Sequence, residues 1–313
     1  MVGQEAPRAQ RVLRKRPVRF RNFVAIDWSG AAGERHAGIA VALAQVGEAA
    51  PMLVRPANAA QGHKWSRPEV ARWLSGELPP DTLVGLDLGI SLPFADCGAF
   101  FPGWPESPPD ARALWALVDR LSFGDPHLGV GSFVDHPQAA SYFRRHGRRE
   151  GAHFGAGGTA GGQGRFRLTE RAQARMGCRP YSNFNLVGAA QVGKSSLSGM
   201  RMLHRLAGTL PVWPVDPLPD AGSVVVEIYT TLAAIAAGRP AGRSKMRSHA
   251  ELNDALAACA SAPVRGSGPI DDHQSDALLT AAWLRQTAHR ADLWHPTGLE
   301  AVRHTEGWTF GAP

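Results

Sequence analysis

Two aspartates, Asp27 and Asp87, each close an apolar run that reads as a buried strand, "NFVAIDWSG" and "DTLVGLDLGISLP". A single acid there can be a turn-former, because Asp hydrogen-bonds nearby backbone N–H groups. Glu227 closes a third such run, "SVVVEIYTTL". Ligands of open α/β sheets bind outside the strand C-termini, so the three carboxylates could converge. Converging carboxylates repel, and a hard divalent cation, Mg²⁺ or Mn²⁺, relieves the repulsion through oxygen ligands. Further on, "DDHQSDALLTAAW" spaces Asp272, His273 and Asp276 so that all three share one face of a helix start. Asp271 or Asp272 can cap that helix. Capping does not explain Asp276, which sits one turn in beside an apolar face and is placed to lean over the strand ends.

Residues 188 to 195, "GAAQVGKS", followed by Ser196, match G-x-x-x-x-G-K-[ST], a loop whose backbone N–H groups cradle nucleotide phosphates. Such a loop needs a buried strand before it and a robust helix after it. Here the feeding segment "PYSNFNLV" contains Pro180 and two Asn, Gly199 weakens the exit helix, and better strands come earlier. We read Gly193, Lys194, Ser195 and Ser196 as a loop and helix N-terminus beside the carboxylates, able to hold a phosphate of a substrate. "FRRHGRREGAHFGAGGTAGGQGRFR" mixes arginines with a glycine-rich linker too polar to make its own core. Arg144, Arg145, Arg148, Arg149, Arg165 and Arg167 are candidate nucleic-acid contacts, the alternative being a solvated linker.

The elements that must position these groups follow from apolar patterning. Three strands open the chain at 22–27, 33–45 and 51–57; a helix capped by Ser66 follows, then the strand ending at Asp87. Proline- and glycine-rich stretches with short helices occupy about 97–219, which reads as an insertion. The strand ending at Glu227 and three helices complete the pattern. The expected organisation is a disordered basic arm over 1–21, one α/β domain over 22–290, and a C-terminal extension over 291–313.

Composition narrows the function classes. The 313 residues carry a formal net charge of +7, mostly through Arg, which suits phosphate recognition but reads equally as codon preference. Cys97, Cys178 and Cys259 have no metal-ligand spacing, which points to a reducing compartment without disulfides. The basic start is followed by no signal-peptide core and no run spans a bilayer, so a soluble cytoplasmic protein without a membrane partner is expected. His36, His63, His127, His136 and His153 read as surface or loop residues.

"FVAIDWSGA", "LVGLDLGISLPF", "FNLVGAAQVGKSSLSGMRML", "VWPVD", "VVVEIYTTL" and "DDHQSDALLTAAW", in this order, resemble the bacterial and archaeal family called domain of unknown function 429, over about residues 22–286. Its members are described as predicted nucleases of the RNase H fold, RuvC-like. The resemblance implies an RNase H-like mixed five-stranded sheet flanked by helices, with the acids of the first and fourth strands adjacent and a long insertion between the fourth and fifth. In the wider group, which includes RuvC-type resolvases, an Asp on strand one, a carboxylate on strand four and an acidic C-terminal helix hold two metal ions. By motif, Asp27, Asp87 and Asp276 match these, and His273 with Asp276 resembles the H-x-x-D-A helix of some RuvC domains, where the His helps to activate water. Asp rather than Glu on strand four, with Glu227 one strand further on, leaves the second ligand open between Asp87 and Glu227; Asp272 is a further candidate. The implied chemistry is two-metal hydrolysis of DNA or RNA phosphodiester bonds. Two other classes stay open. One is an actin-like ATPase or small-molecule kinase, whose phosphate loops also follow an Asp at a strand end. The other is a non-catalytic nucleic-acid-binding protein.

Overall fold

The computed structural model describes residues 19–57, 64–156, 162–188 and 191–313. Most of the expected basic arm, His63 and the middle of the glycine-rich stretch lie outside the described residues.

Uninterrupted apolar burial selects the centre of the sheet. Strand β1 (Asn22–Asp27) is buried at every position, as a strand covered on both faces must be. A two-residue β2 (Arg35–His36) leads into β3 (Ala40–Gln45) and β4 (Met52–Val54). After β5 (Trp65–Ser66) comes helix α1 (Arg67–Gly76). Ser66 caps it in a reciprocal capping box with Glu69. Strand β6 (Thr82–Asp87) then returns to the centre. Beyond it lie α2 (Ala111–Leu121), α3 (Gly131–Asp135), a ribbon of β7 (Arg144–Arg145) and β8 (Arg149–Glu150), α4 (Leu168–Arg175) and α5 (Val192–Arg205). Strands β9 (Val212–Trp213) and β10 (Val224–Glu227) precede α6 (Thr230–Ala236), α7 (His249–Ala258), α8 (Asp272–Thr287), α9 (Ala291–Trp294) and α10 (Leu299–Val302).

The result is a mixed α/β protein with a central sheet in the order β4-β3-β1-β6-β10-β9. β3 runs antiparallel to β1 and to β4, whereas β6, β10 and β9 all run parallel to β1. Alternation along the strands splits the core in two. Val24, Ile26, Val84 and Leu86 face one side, with α1, α2 and α5; Phe23, Ala25, Leu83 and Val226 face the other, with α6, α7 and α8.

The sheet has six strands where five were expected. The extra one, β9, is two residues long and lies within the stretch read as an insertion. That stretch is no separate lobe: Phe100, Phe101, Leu114, Phe143 and Phe154 all join the first core cluster. Residues 291–313 are equally integral, since Trp294, Leu299, Trp308 and Phe310 fill the second cluster. His36, expected at the surface, is 3% exposed, and burial pushes its pKa down to about 4. Among the described residues no helix is long and apolar enough to cross a membrane.

Close packing of α5 on the loops after β1 and β6 sets the entrance to the site. A Cβ on Gly30 would stand 2.3 Å from the Ser195 backbone nitrogen, whereas one on Gly76 would meet nothing within 4 Å. Gly30→Ala is therefore expected to destabilise the fold by about 1–3 kcal/mol through overpacking. Gly76→Ala, at the end of α1, should stabilise by about 0.4–1 kcal/mol. Urea denaturation of both variants checks the pair.

Candidate functional site

Parallel pairing of β1 on β6 puts Asp27 opposite Asp87 in register. Helix α8 crosses β1 and β3, and its N-terminus is capped by Asp271, whose side chain accepts from the His273 and Gln274 N–H groups. The cap thus falls on Asp271, which frees the next turn to face the strand ends. His273 Nδ1 lies 3.0 Å from Asp27 Oδ2. Asp276 is 5% exposed and is bonded by the Lys245 ammonium, which arrives from the segment between α6 and α7. Lys245 Nζ is also 3.9 Å from Asp272, at the rim. Thr230 Oγ1, at the start of α6, donates to Asp87 Oδ2 at 3.4 Å.

These groups perturb one another strongly. Burial raises the Asp27 pKa, against the opposing pull of its hydrogen bond to His273 and the Lys245 charge. Asp87 is raised well above its ordinary value, by burial first and then by the negative charges of Asp27 and Asp276. Burial likewise pushes Asp276 up to about 6, with Lys245 holding it back. In the opposite sense, the hydrogen bond to Asp27 lifts His273 to about 9. Burial pulls the Lys245 ammonium down, but Asp276, Asp27 and Asp87 outweigh it and leave the pKa raised. An imidazolium and an ammonium thus stand as counter-ions beside three acids that crowd one another.

Among the described residues no group of three or more His, Cys, Asp or Glu side chains is arranged as a ready metal cage. Asp27 and Asp276 are turned to His273 and Lys245 instead. The acid side chains of Asp27, Asp87 and Asp276 are nonetheless hard oxygen donors of the type that Mg²⁺ or Mn²⁺ takes, and they would have to turn from their present partners to hold one. Asp27, Asp87 and Asp276 would be its ligands, in competition with Lys245 for Asp276.

Glu227 is not free to join them. Its carboxylate accepts from Arg167 Nη1 and Nη2 at 2.8 and 2.6 Å, from Ile90 N–H at 2.8 Å and from Thr309 Oγ1 at 2.5 Å. Arg167 is held in turn by Glu170. This saturated network fixes the C-terminal segment and α4 to the sheet and leaves Asp87 as the second candidate ligand. It also corrects the reading of Arg167, which is 1% exposed, and of Arg165, which is 0% exposed and bound to Asp96 and to the Pro93, Ala99 and Phe100 carbonyls. Arg165 is enclosed in the interior, and Arg167, although it lines the carboxylate cleft, spends its guanidinium on Glu170 and Glu227. Arg144 pairs with Glu150 at 3.0 Å over the Phe154 ring, Arg145 pairs with Asp135, and Arg149 is exposed. The side chain of Arg148 lies outside the described residues.

The "GAAQVGKS" segment does not have the surroundings of a nucleotide cradle. Among the described residues no strand feeds it; the chain arrives through a turn with an isolated bridge from Asn185 to Arg144. Gly193 N–H donates to Asn185 O, Ser195 N–H to Gln191 O, and the buried Ser196 hydroxyl accepts from Gly89 N–H. Gly193 and Ser196 are thus interior packing and bonding groups, whereas Lys194 lines one open space and Ser195, with Gln191 and Val192, another.

Asp27, Asp87, Lys245, His273, Tyr229 and Ser195 line one cleft of about 1050 Å³. The sequence gives no warning of Lys245, which stands in "GRSKM" with no partner at a diagnostic spacing. Thr230 is hidden in the same way. Compared with known protein families, curated proteins and solved structures, the chain matches none.

The two strand-end acids should respond oppositely to removal. Glu227→Gln leaves Arg167 short of a buried partner and is expected to cost about 3–5 kcal/mol. Asp87→Asn in metal-free protein should instead stabilise. A carboxyl whose folded pKa is raised favours the fold below its unfolded value of about 4. That contribution is lost as pH rises through the folded value. The gain from Asp87→Asn should therefore be larger at pH 8 than at pH 5, as read by chemical denaturation in EDTA.

Proposed function

We propose that the protein is a metal-dependent phosphodiester hydrolase of the RNase H-like class, acting on DNA or RNA. The observation that carries this reading is the register of Asp27 against Asp87 at the ends of adjacent parallel strands, with Asp276 reaching the same charge cluster from α8. The sheet supports it too: its first strand lies between an antiparallel second and a parallel fourth, counting the major strands, in keeping with the resemblance of the sequence motifs. A bound Mg²⁺ or Mn²⁺ pair would supply charge stabilisation and an acidified water.

The chain's own residues then have definable tasks. Asp27, most central, has Asp87 beside it and His273 hydrogen-bonded to it. His273 stands on the cleft wall; once its bond to Asp27 is released and the ring has given up its own proton to solvent, the neutral imidazole can take a proton from an attacking water. Lys245 steadies Asp276 and adds positive charge where a phosphate would lie. Free cysteines at 97, 178 and 259 favour a reducing, cytoplasmic setting.

The kinase reading is less well supported. In that class the loops after the first and fourth major strands hold nucleotide phosphates, but here α5 fills that space: Gly30 abuts the Ser195 backbone and Gly89 N–H is bonded to Ser196. A purely binding role leaves unexplained why two buried carboxyl groups and a half-buried third are gathered at an energetic cost.

Labelled single- and double-stranded DNA and RNA, incubated with Mg²⁺ or Mn²⁺, test the proposal. Cutting is expected only with metal, reduced about 100-fold or more by Asp27→Asn or Asp87→Asn and about 10–100-fold by His273→Ala. Cutting that persists in EDTA or in Asp27→Asn would refute it, and ATP hydrolysis without cutting would favour the kinase.

A further inference from the structure

A second cleft, of about 510 Å³, adjoins the carboxylate cleft and shares Gly30 and Ala31 with it. Its walls carry Arg67, His127, Arg145, His146, Arg149 and Lys194. Two acids are also present, but both are engaged. Asp135 pairs with Arg145, and Asp125 accepts from the Ser132 N–H and hydroxyl at 2.8 and 2.6 Å.

Arg67 is the informative residue. It is 2% exposed, and its guanidinium donates to Ser29 O at 2.9 Å, His127 O at 3.1 Å and Ala31 O at 2.5 Å. Every partner is a neutral carbonyl, and among the described residues no carboxylate forms an ion pair with it. Burial lowers its pKa to about 10, with the nearby Arg201 charge adding to the effect. Arg201, 0% exposed, is itself paired with Asp119 at 2.9 Å, with only its Nη2 lacking a hydrogen-bond partner among the described residues, so the cation left without an anion is Arg67. Keeping a buried cation without an anion is costly. The geometry is that of a site built for an anion from outside the chain.

Helix α5 links this cleft to the other. In its first turn Lys194 faces the basic cleft and Ser195 the acidic one. The wall shared by the two is Gly30 and Ala31, with the first turn of α5 packed against Gly30, so the clefts lie back to back. Among the described residues the basic cleft has no Phe, Tyr or Trp in its lining, and the only rings it presents to a base are the imidazoles of His127 and His146. What it can grip is phosphate.

We propose that this cleft is a phosphate-binding subsite that holds the backbone of a nucleic-acid strand to one side of the bond at the carboxylates. This rests on the hydrolase reading for the identity of the strand, and on Arg67, Lys194 and Arg149 for the site itself. The subsite grips the strand without regard to sequence, and its contribution weakens with salt.

Fluorescence anisotropy of labelled single strands and duplexes, DNA and RNA, with the full chain in EDTA over a salt series tests the subsite apart from cutting. The double variant Lys194→Ala, Arg149→Ala changes two side chains that are not buried, and an unchanged melting temperature verifies its fold. Its Kd should rise about tenfold or more, and the slope of log K against log salt should fall by about 0.7–0.9 for each phosphate that the variant no longer neutralises. An unchanged Kd and slope would overturn the subsite, as would tight binding of ATP with no binding of any strand. If the double variant loses strand binding while the wild type cuts nothing in metal, the subsite stands and the hydrolase reading falls. If the wild type cuts and the double variant cuts with the same KM, the reverse holds.

Discussion

The parallel register of β1 on β6 sets Asp27 directly against Asp87, and the rest of this end of the molecule answers that repulsion. A sheet fixes its register along the whole pairing, so the two acids cannot separate without breaking hydrogen bonds and turning apolar residues out of the core. Charge must instead be brought to them. Helix α8 delivers His273 to Asp27, and the segment before α7 delivers Lys245 to Asp276. The cluster is crowded enough that Asp276 is held up to about 6 even with an ammonium against it. Strongly perturbed acids of this kind cluster at functional sites, and structural ion-pair networks also produce them.

A second charged network stands next to the first with the opposite logic. Arg167, Glu170 and Glu227 satisfy one another, and Thr309, the Ile90 N–H and the Glu306 carbonyl take up further bonds. Glu306 itself accepts from the Phe94, Ala95 and Leu168 N–H groups. These bonds tie the segment after β6, the start of α4 and the C-terminal residues to the sheet end. Asp87 and Glu227 are neighbours at strand ends, yet one is crowded by like charges and the other is fully bonded. Position in the sheet alone does not decide how an acid is held; its partners do.

Much of this is legible in the sequence where the signal is local. Apolar runs that end in Asp27 and Asp87 mark the central strands, and Ser66 with Glu69 marks the start of α1. Helical spacing puts His273 and Asp276 on one face. What escapes is long-range. Arg165 and Arg167 look like a basic patch because nothing nearby in sequence reveals that carbonyls of residues 93–100 and the Glu227 carboxylate will enclose them. Two of the four lysines, Lys194 and Lys245, line the clefts, but each gains its meaning only from residues folded against it. The two-residue β9 and the packing of residues 291–313 are set by tertiary contacts too sparse in sequence to form a pattern.

Calorimetric titration of Mn²⁺ into metal-free protein at pH 8 reads the carboxylate cluster most directly, because it senses the donor set without any substrate. Wild-type protein should bind, with protons released from the cluster as the metal displaces them, and Asp27→Asn should lose that binding. Equal binding by the two proteins, or none by either, would contradict a metal-dependent site at the ends of β1 and β6.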